Sequence, residues 1–100
     1  MAKFSELISS APMVLVDFSA EWCGPCQALA PQLKELASRV AQDTKIIKID
    51  VDKNQDLAGI WQVSGVPTLI LFREGQQVWR QSGAMTASRL EKVIADYRNA

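Results

Sequence analysis

Cys23 and Cys26 stand at the junction between an apolar run, Met13-Val14-Leu15-Val16-Asp17-Phe18, and a stretch whose apolar residues Leu29, Leu33, Leu36, Ala37 and Val40 fall on one helical stripe. No other feature constrains the fold as much. The run is short, continuous and rich in β-formers, the pattern of a strand covered on both faces. The stripe predicts a helix from Cys23 to about Val40, with Pro31 expected to kink it by removing a backbone donor. A strand that feeds such a helix places Cys23 at the helix N-terminus and Cys26 one turn further in.

Two thiols separated by two residues can close a small disulfide ring across one helical turn. Such a pair can pass two electrons to another protein's disulfide: one sulfur attacks, a mixed disulfide forms, and the second sulfur resolves it. The chain has no other cysteine, so this chemistry has one address. Unpaired N–H groups and the helix dipole at that terminus favour the thiolate of Cys23. Cys26 is expected to be the more buried of the two and to keep its proton until resolution.

The 100 residues are expected to form one domain, 1–100, and their 48% apolar content is enough for a core without metal or a disulfide framework. Formal net charge is zero and no run of like charges stands out, so neither nucleic acid nor an acidic membrane surface is expected as a partner. The absence of histidine excludes a Cys-His hydrolase and a histidine general base, and it removes the commonest metal ligand. Zinc on Cys23 and Cys26 would need two further ligands from a second subunit, so no metal is expected. A purely structural disulfide around so small a loop gains little. The first apolar run is closed by Asp17 with no secretory signal ahead of it, and no run is long enough to span a bilayer. The expectation is a cytoplasmic monomer, where a cysteine pair is catalytic or metal-binding rather than structural.

Along the rest of the chain, Phe4, Leu7 and Ile8 suggest a short opening helix, and Lys45 to Val51 reads as a strand. Asn54 is placed to cap a helix holding Leu57, Ile60 and Trp61. Thr68 to Phe72 reads as a third strand, turning at Glu74-Gly75 into a fourth through Val78 and Trp79. A closing helix from Thr86 presents Leu90, Val93, Ile94 and Tyr97, with Arg89, Glu91 and Lys92 on a solvated face. Trp61 and Trp79 are read as packing or hairpin-surface residues. The pattern predicts an α/β fold, a central mixed four-stranded sheet with helices on both faces.

The stretch Asp17 to Cys26, with Trp22-Cys23-Gly24-Pro25-Cys26 at its end, resembles the thioredoxin family. Also similar are the mid-helix Pro31, the Val66-Pro67-Thr68 segment, and the glycines Gly75 and Gly83. The similarity runs from about Phe4 to Tyr97 and implies a thioredoxin-like fold. It implies Cys23 as the attacking nucleophile, Cys26 as the resolving thiol, Asp17 as a buried carboxyl exchanging a proton with Cys26, and Lys48 as the lysine near that carboxyl. It implies a cis Pro67 beside the sulfurs, with Val66 offering a backbone edge to the substrate. Trp22, Gly24, Pro25, Gly65, Val66, Pro67, Gly83 and Ala84 would then form a flat apolar docking groove. Three departures are visible. Ser19 stands where an aromatic residue is frequent, Gln27 stands where a lysine is common, and no counterpart of the usual first strand is seen. Four strands are therefore expected, with Lys45–Val51 at an edge.

The function so implied is a cytosolic protein-disulfide reductase. The resemblance implies no bound cofactor and electrons from NADPH through a separate flavoprotein, thioredoxin reductase; the chain carries no dinucleotide fingerprint of its own. Gly-Pro between the cysteines favours a reducing couple over an oxidase or isomerase, which a histidine there would favour. The alternative of another class is an interaction module in which the groove binds a partner and the dithiol is incidental.

Overall fold

In the computed structural model, which describes residues 3–99, eight elements follow one another. Residues 1, 2 and 100 of the expected domain lie outside the described residues. The elements are α1 (Phe4–Leu7), β1 (Met13–Ser19), α2 (Gly24–Arg39), β2 (Thr44–Asp50), α3 (Gln55–Ile60), β3 (Thr68–Arg73), β4 (Gln76–Ser82) and α4 (Ala87–Arg98). The strands form one sheet in the order β2-β1-β3-β4, with β1 parallel to β2, β1 antiparallel to β3, and β3 antiparallel to β4. This is the expected mixed four-stranded sheet, and β2 is an edge.

Every residue of β1 is buried, which is why its sequence does not alternate. Its odd-numbered side chains, Met13 and Leu15, join Leu29, Leu33, Leu36 and Val40 of the α2 region and Leu90, Val93 and Ile94 of α4. Its even-numbered ones, Val14, Val16 and Phe18, join Ile8, Ile70 and Phe72, with Phe4, Leu57 and Trp61 packed against them. Helices thus cover both faces. Trp61 meets Phe72 edge-on, with ring centroids 5.2 Å apart, so it is a packing residue. Glu91, on the solvated face, also accepts from Arg39 Nη1 at 3.1 Å, a surface ion pair between α4 and α2.

Local chemistry sets the element ends. Cys23 is the N-cap of α2, one residue ahead of the helix, and the helix continues through Pro31 on its exposed side. The closing helix, expected from Thr86, begins one residue later with Thr86 as its N-cap, Oγ1 accepting the Arg89 N–H at 3.1 Å, and Gln32 Oε1 of α2 accepts the Ala87 N–H at 2.8 Å. Asn54 sits at the N-cap of α3 but does not cap it. Its Nδ2 donates to the Asp50 carbonyl, while Asp50 Oδ1 accepts from the backbone N–H groups of Asp52 and Lys53. The turn made by Asp50 has taken the capping asparagine out of play. Ile60, expected on the packed stripe of α3, is 73% exposed, because so short a helix turns only Leu57, Ala58 and Trp61 inward.

The β3–β4 hairpin turns through Glu74 and Gly75, both at positive φ (52° and 80°), as a tight turn requires. A Cβ on Gly75 would meet Ser9 Oγ at 2.7 Å, so that hydroxyl would have to turn aside, and it is the positive φ that favours glycine there. Further along, Leu71 pairs with Trp79 but Phe72 pairs with Gln77, leaving Val78 as an extra residue in a bulge. The bulge lets two consecutive residues, Val78 and Trp79, pack against the α2–α4 core.

Leu36 is fully buried at the centre of that core. Leu36→Ala is expected to lower unfolding free energy by about 2–5 kcal/mol in urea titrations, with the disulfide intact in both proteins.

Candidate active site

The end of β1 and the start of α2 bring the cysteines together. Cys23 keeps an extended backbone (φ −91°, ψ 112°), and its Sγ accepts the Cys26 N–H at 3.1 Å. The two residues are joined as a disulfide, with Cα atoms 5.2 Å apart. A first-turn N–H therefore already points at the Cys23 sulfur, and after reduction it can hold a thiolate there. Both cysteines are buried to nearly the same degree, so the expected difference in depth is not seen in the disulfide. Gln27, in place of a lysine, donates from Nε2 to the Glu21 carbonyl at 3.0 Å and ties the helix start to the preceding turn.

Asp17 lies on the α2 side of β1, 1% exposed, and its Oδ1 has no hydrogen-bond partner among the described residues. Burial raises its pKa to about 6, against a smaller lowering by the Lys48 ammonium. Lys48 is its register partner on β2 and is itself exposed. The strand ladder thus supplies the pairing that the sequence separation of these residues hides. A carboxyl with that pKa can take or give a proton near neutrality. Ser19, two residues on along the same strand face, is likewise buried with its Oγ unpartnered.

The Val66–Pro67 peptide bond is cis. The Val66 carbonyl oxygen lies 3.6 Å from Cys23 Sγ, within reach of a thiol proton in the reduced state. A cleft of about 110 Å³ opens beside it, lined by Trp22, Val51, Val63, Ser64, Gly65 and Val66. Trp22 is 71% exposed, and its Nε1–H donates to Asp52 Oδ2 at 2.8 Å, which fixes the indole as one wall. Gly24 and Pro25 are exposed at the top of α2. Gly83 is brought in by its N–H, which donates to the Pro67 carbonyl at 2.9 Å. Ala84 is exposed and only follows Gly83; it does not line the cleft. Val51, Val63, Ser64 and Asp52 were not singled out from sequence. The acceptor role of Asp52 depends on the turn set by Asp50, and Val51 read only as the end of a strand. A larger hollow, about 380 Å³, lies around Pro12, Ala41, Asp43 and Lys45 at the far end of β1 and β2 and holds none of the expected residues. Among the described residues, no group of three or more histidine, cysteine, aspartate or glutamate side chains is placed to hold a metal, and no helix is long and apolar enough to cross a membrane.

A buried cysteine pair at a helix N-terminus on this four-stranded sheet also has close relatives among known proteins. The sequence profile of the Thioredoxin family matches residues 1–96. A thioredoxin of Mycobacterium tuberculosis is 46% identical over 92% of this chain and 79% of its own length. A solved mutant thioredoxin from Halobacterium salinarum superposes with a TM-score of 0.89 at 42% identity, covering 98% of this chain and 85% of that one. A Mycobacterium leprae protein described as a bifunctional thioredoxin reductase/thioredoxin is 44% identical over 93% of this chain and 20% of its own length. The chain belongs to the thioredoxin family. It is a thiol–disulfide oxidoreductase of the protein-disulfide reductase class.

The raised pKa of Asp17 has a sign that stability measurements can read. The folded state holds this proton more tightly than the unfolded one, so the stabilisation is complete below the unfolded value of 3.8 and is lost as pH rises through about 6. Across that window the wild type is expected to lose about 3 kcal/mol relative to Asp17→Asn. Urea unfolding of both proteins at pH 4 and pH 8 checks this; parallel pH profiles would mean that Asp17 is not perturbed.

Proposed function

We propose that Cys23 is the attacking sulfur and Cys26 the resolving one in the reduction of disulfides in client proteins. The observation that carries this reading is the Cys23–Cys26 disulfide at the α2 N-terminus, with the Cys26 N–H on Cys23 Sγ. In the reduced protein, the Cys23 thiolate attacks one sulfur of the client disulfide. A bond forms between Cys23 Sγ and that sulfur, and the other client sulfur leaves as a thiolate. Asp17, ionised above pH about 6, takes the proton of Cys26. The Cys26 thiolate then attacks Cys23 Sγ and expels the second client thiolate. Two electrons have gone to the client, and the chain holds the disulfide.

Lys48 keeps the Asp17 carboxyl within a useful range by opposing the effect of burial. Trp22, Gly24, Pro25, Gly65, Val66, Pro67, Gly83 and Ala84 form the face on which the client lies, with the Val66 backbone offering strand-like hydrogen bonds. The client is read by shape and main chain, which suits a carrier serving many proteins. No bound cofactor takes part. Electrons come from NADPH through a separate thioredoxin reductase, a pairing supported by the M. leprae relative that joins the two functions in one chain. One domain spanning 1–100, monomeric and cytoplasmic, carries the whole cycle.

Cys26→Ser is the decisive variant. It is expected to accumulate mixed disulfides with clients through Cys23, seen as reducible bands on non-reducing gels, while Cys23→Ser forms none. If Cys26→Ser and wild type bound the same clients without any covalent link, the interaction-module reading would replace this one. The Cys23–Cys26 potential is expected near about −270 mV in a glutathione buffer; that value is the one typical of thioredoxins and does not follow from this geometry.

A further inference from the structure

The segment between α3 and β3 supplies Val63, Ser64, Gly65 and Val66 to the cleft beside Cys23, and it has no regular secondary structure. Gln62, at its start, adopts φ +55°, the left-handed turn that closes α3, with the Val63 N–H donating to the Ala58 carbonyl at 2.8 Å. Three further ties hold the segment, two of them from β4 or its exit and one from the first residue of β3.

Arg80 makes the first. Its Nη1 donates to the Trp61 carbonyl at 2.6 Å and its Nη2 to the Gln62 carbonyl at 2.8 Å. Carbonyls at a helix C-terminus lack intrahelical donors, and a cation there also meets the negative end of the helix dipole. The planar guanidinium offers two N–H groups in a fixed fork, which suits two consecutive carbonyls. The second tie runs through Thr68, whose Oγ1 donates to the Gly65 carbonyl at 2.6 Å. A hydroxyl has one proton, so the 3.1 Å contact between Thr68 Oγ1 and Ser82 Oγ has Ser82 as donor. The third is the Gly83 N–H on the Pro67 carbonyl. Arg80 and Ser82, two apart on a strand, share the face that looks toward α3.

We infer that β4 is the template on which the docking segment is set, with Arg80 as its principal positioning residue. Arg80 makes no hydrogen bond to Cys23, Cys26, Asp17 or Lys48 among the described residues, so it acts on the shape presented to clients and not on the sulfurs. A preformed segment lowers the ordering cost of binding a polypeptide. The inference rests on the reading of the Trp22–Val66 cleft as the client site.

The experiment compares wild type, Arg80→Met and Arg80→Lys with two substrates: insulin, a protein disulfide that needs the docking face, and 5,5′-dithiobis(2-nitrobenzoate), a small disulfide that does not. Arg80→Met is expected to raise KM for insulin roughly tenfold, as loss of hydrogen bonds from a charged donor predicts. Its kcat is expected to stay within about twofold, and its rate with the small disulfide and its redox potential to stay at wild-type values. Arg80→Lys, with one ammonium in place of the fork, is expected to fall between, and it carries the test should Arg80→Met not fold. An unchanged insulin KM would overturn the inference. So would an equal loss with both substrates, since a general loss of structure gives that result. Trp22→Ala separates the two levels. If it leaves the insulin KM unchanged, the cleft is not the client site and the inference falls with it. If it raises KM while the Arg80 variants do not, only the template role is lost.

Discussion

The hydrogen-bonded ladders that flank β1, parallel to β2 and antiparallel to β3, take its seven residues out of water, and helices close over both faces. Almost every functional property of the molecule follows from that burial. The strand ends directly beneath the first turn of α2, so the two sulfurs are delivered to a helix N-terminus by the same stretch that builds the core. A carboxylate placed in this strand cannot be solvated, and Asp17 is therefore driven toward its neutral form. The same side chain on an edge strand would be an ordinary surface acid.

Stability is given up for this arrangement. Asp17 Oδ1 and Ser19 Oγ are buried without protein partners, and such groups are uncommon in native cores because each carries a desolvation cost. Their concentration at the end of β1, next to the disulfide and nowhere else among the described residues, is the pattern expected where function overrides packing.

Much of this was legible in the residues themselves. The continuous apolar run, the stripe on α2 and the stripe on α4 predicted their elements to within a residue or two, because burial on both faces and on one face leave different periodicities. The edge position of β2 was also foreseen. What stayed hidden depends on contacts between distant segments. The bulge at Val78 is a property of pairing, not of composition. Asn54 carries the right group to cap α3, yet Asp50 had already organised the turn in another way. Ile60 obeyed helical spacing in a helix too short to bury it. Nothing in the local sequence singles out Arg80, and only the fold sets it against the carbonyls of Trp61 and Gln62. The Trp22–Asp52 hydrogen bond likewise spans thirty positions that no local pattern connects.

β2 ends the sheet, with no strand beyond it among the described residues, and it carries Lys45 and Lys48, both exposed. These two positions differ in parity, so one ammonium rises from each face of the strand. A second sheet continuing this one would have to strip water from a charge whichever way up it arrived. The isoleucines between the lysines can therefore serve the interior without inviting growth. The edge admits passing polypeptides no more readily than copies of itself.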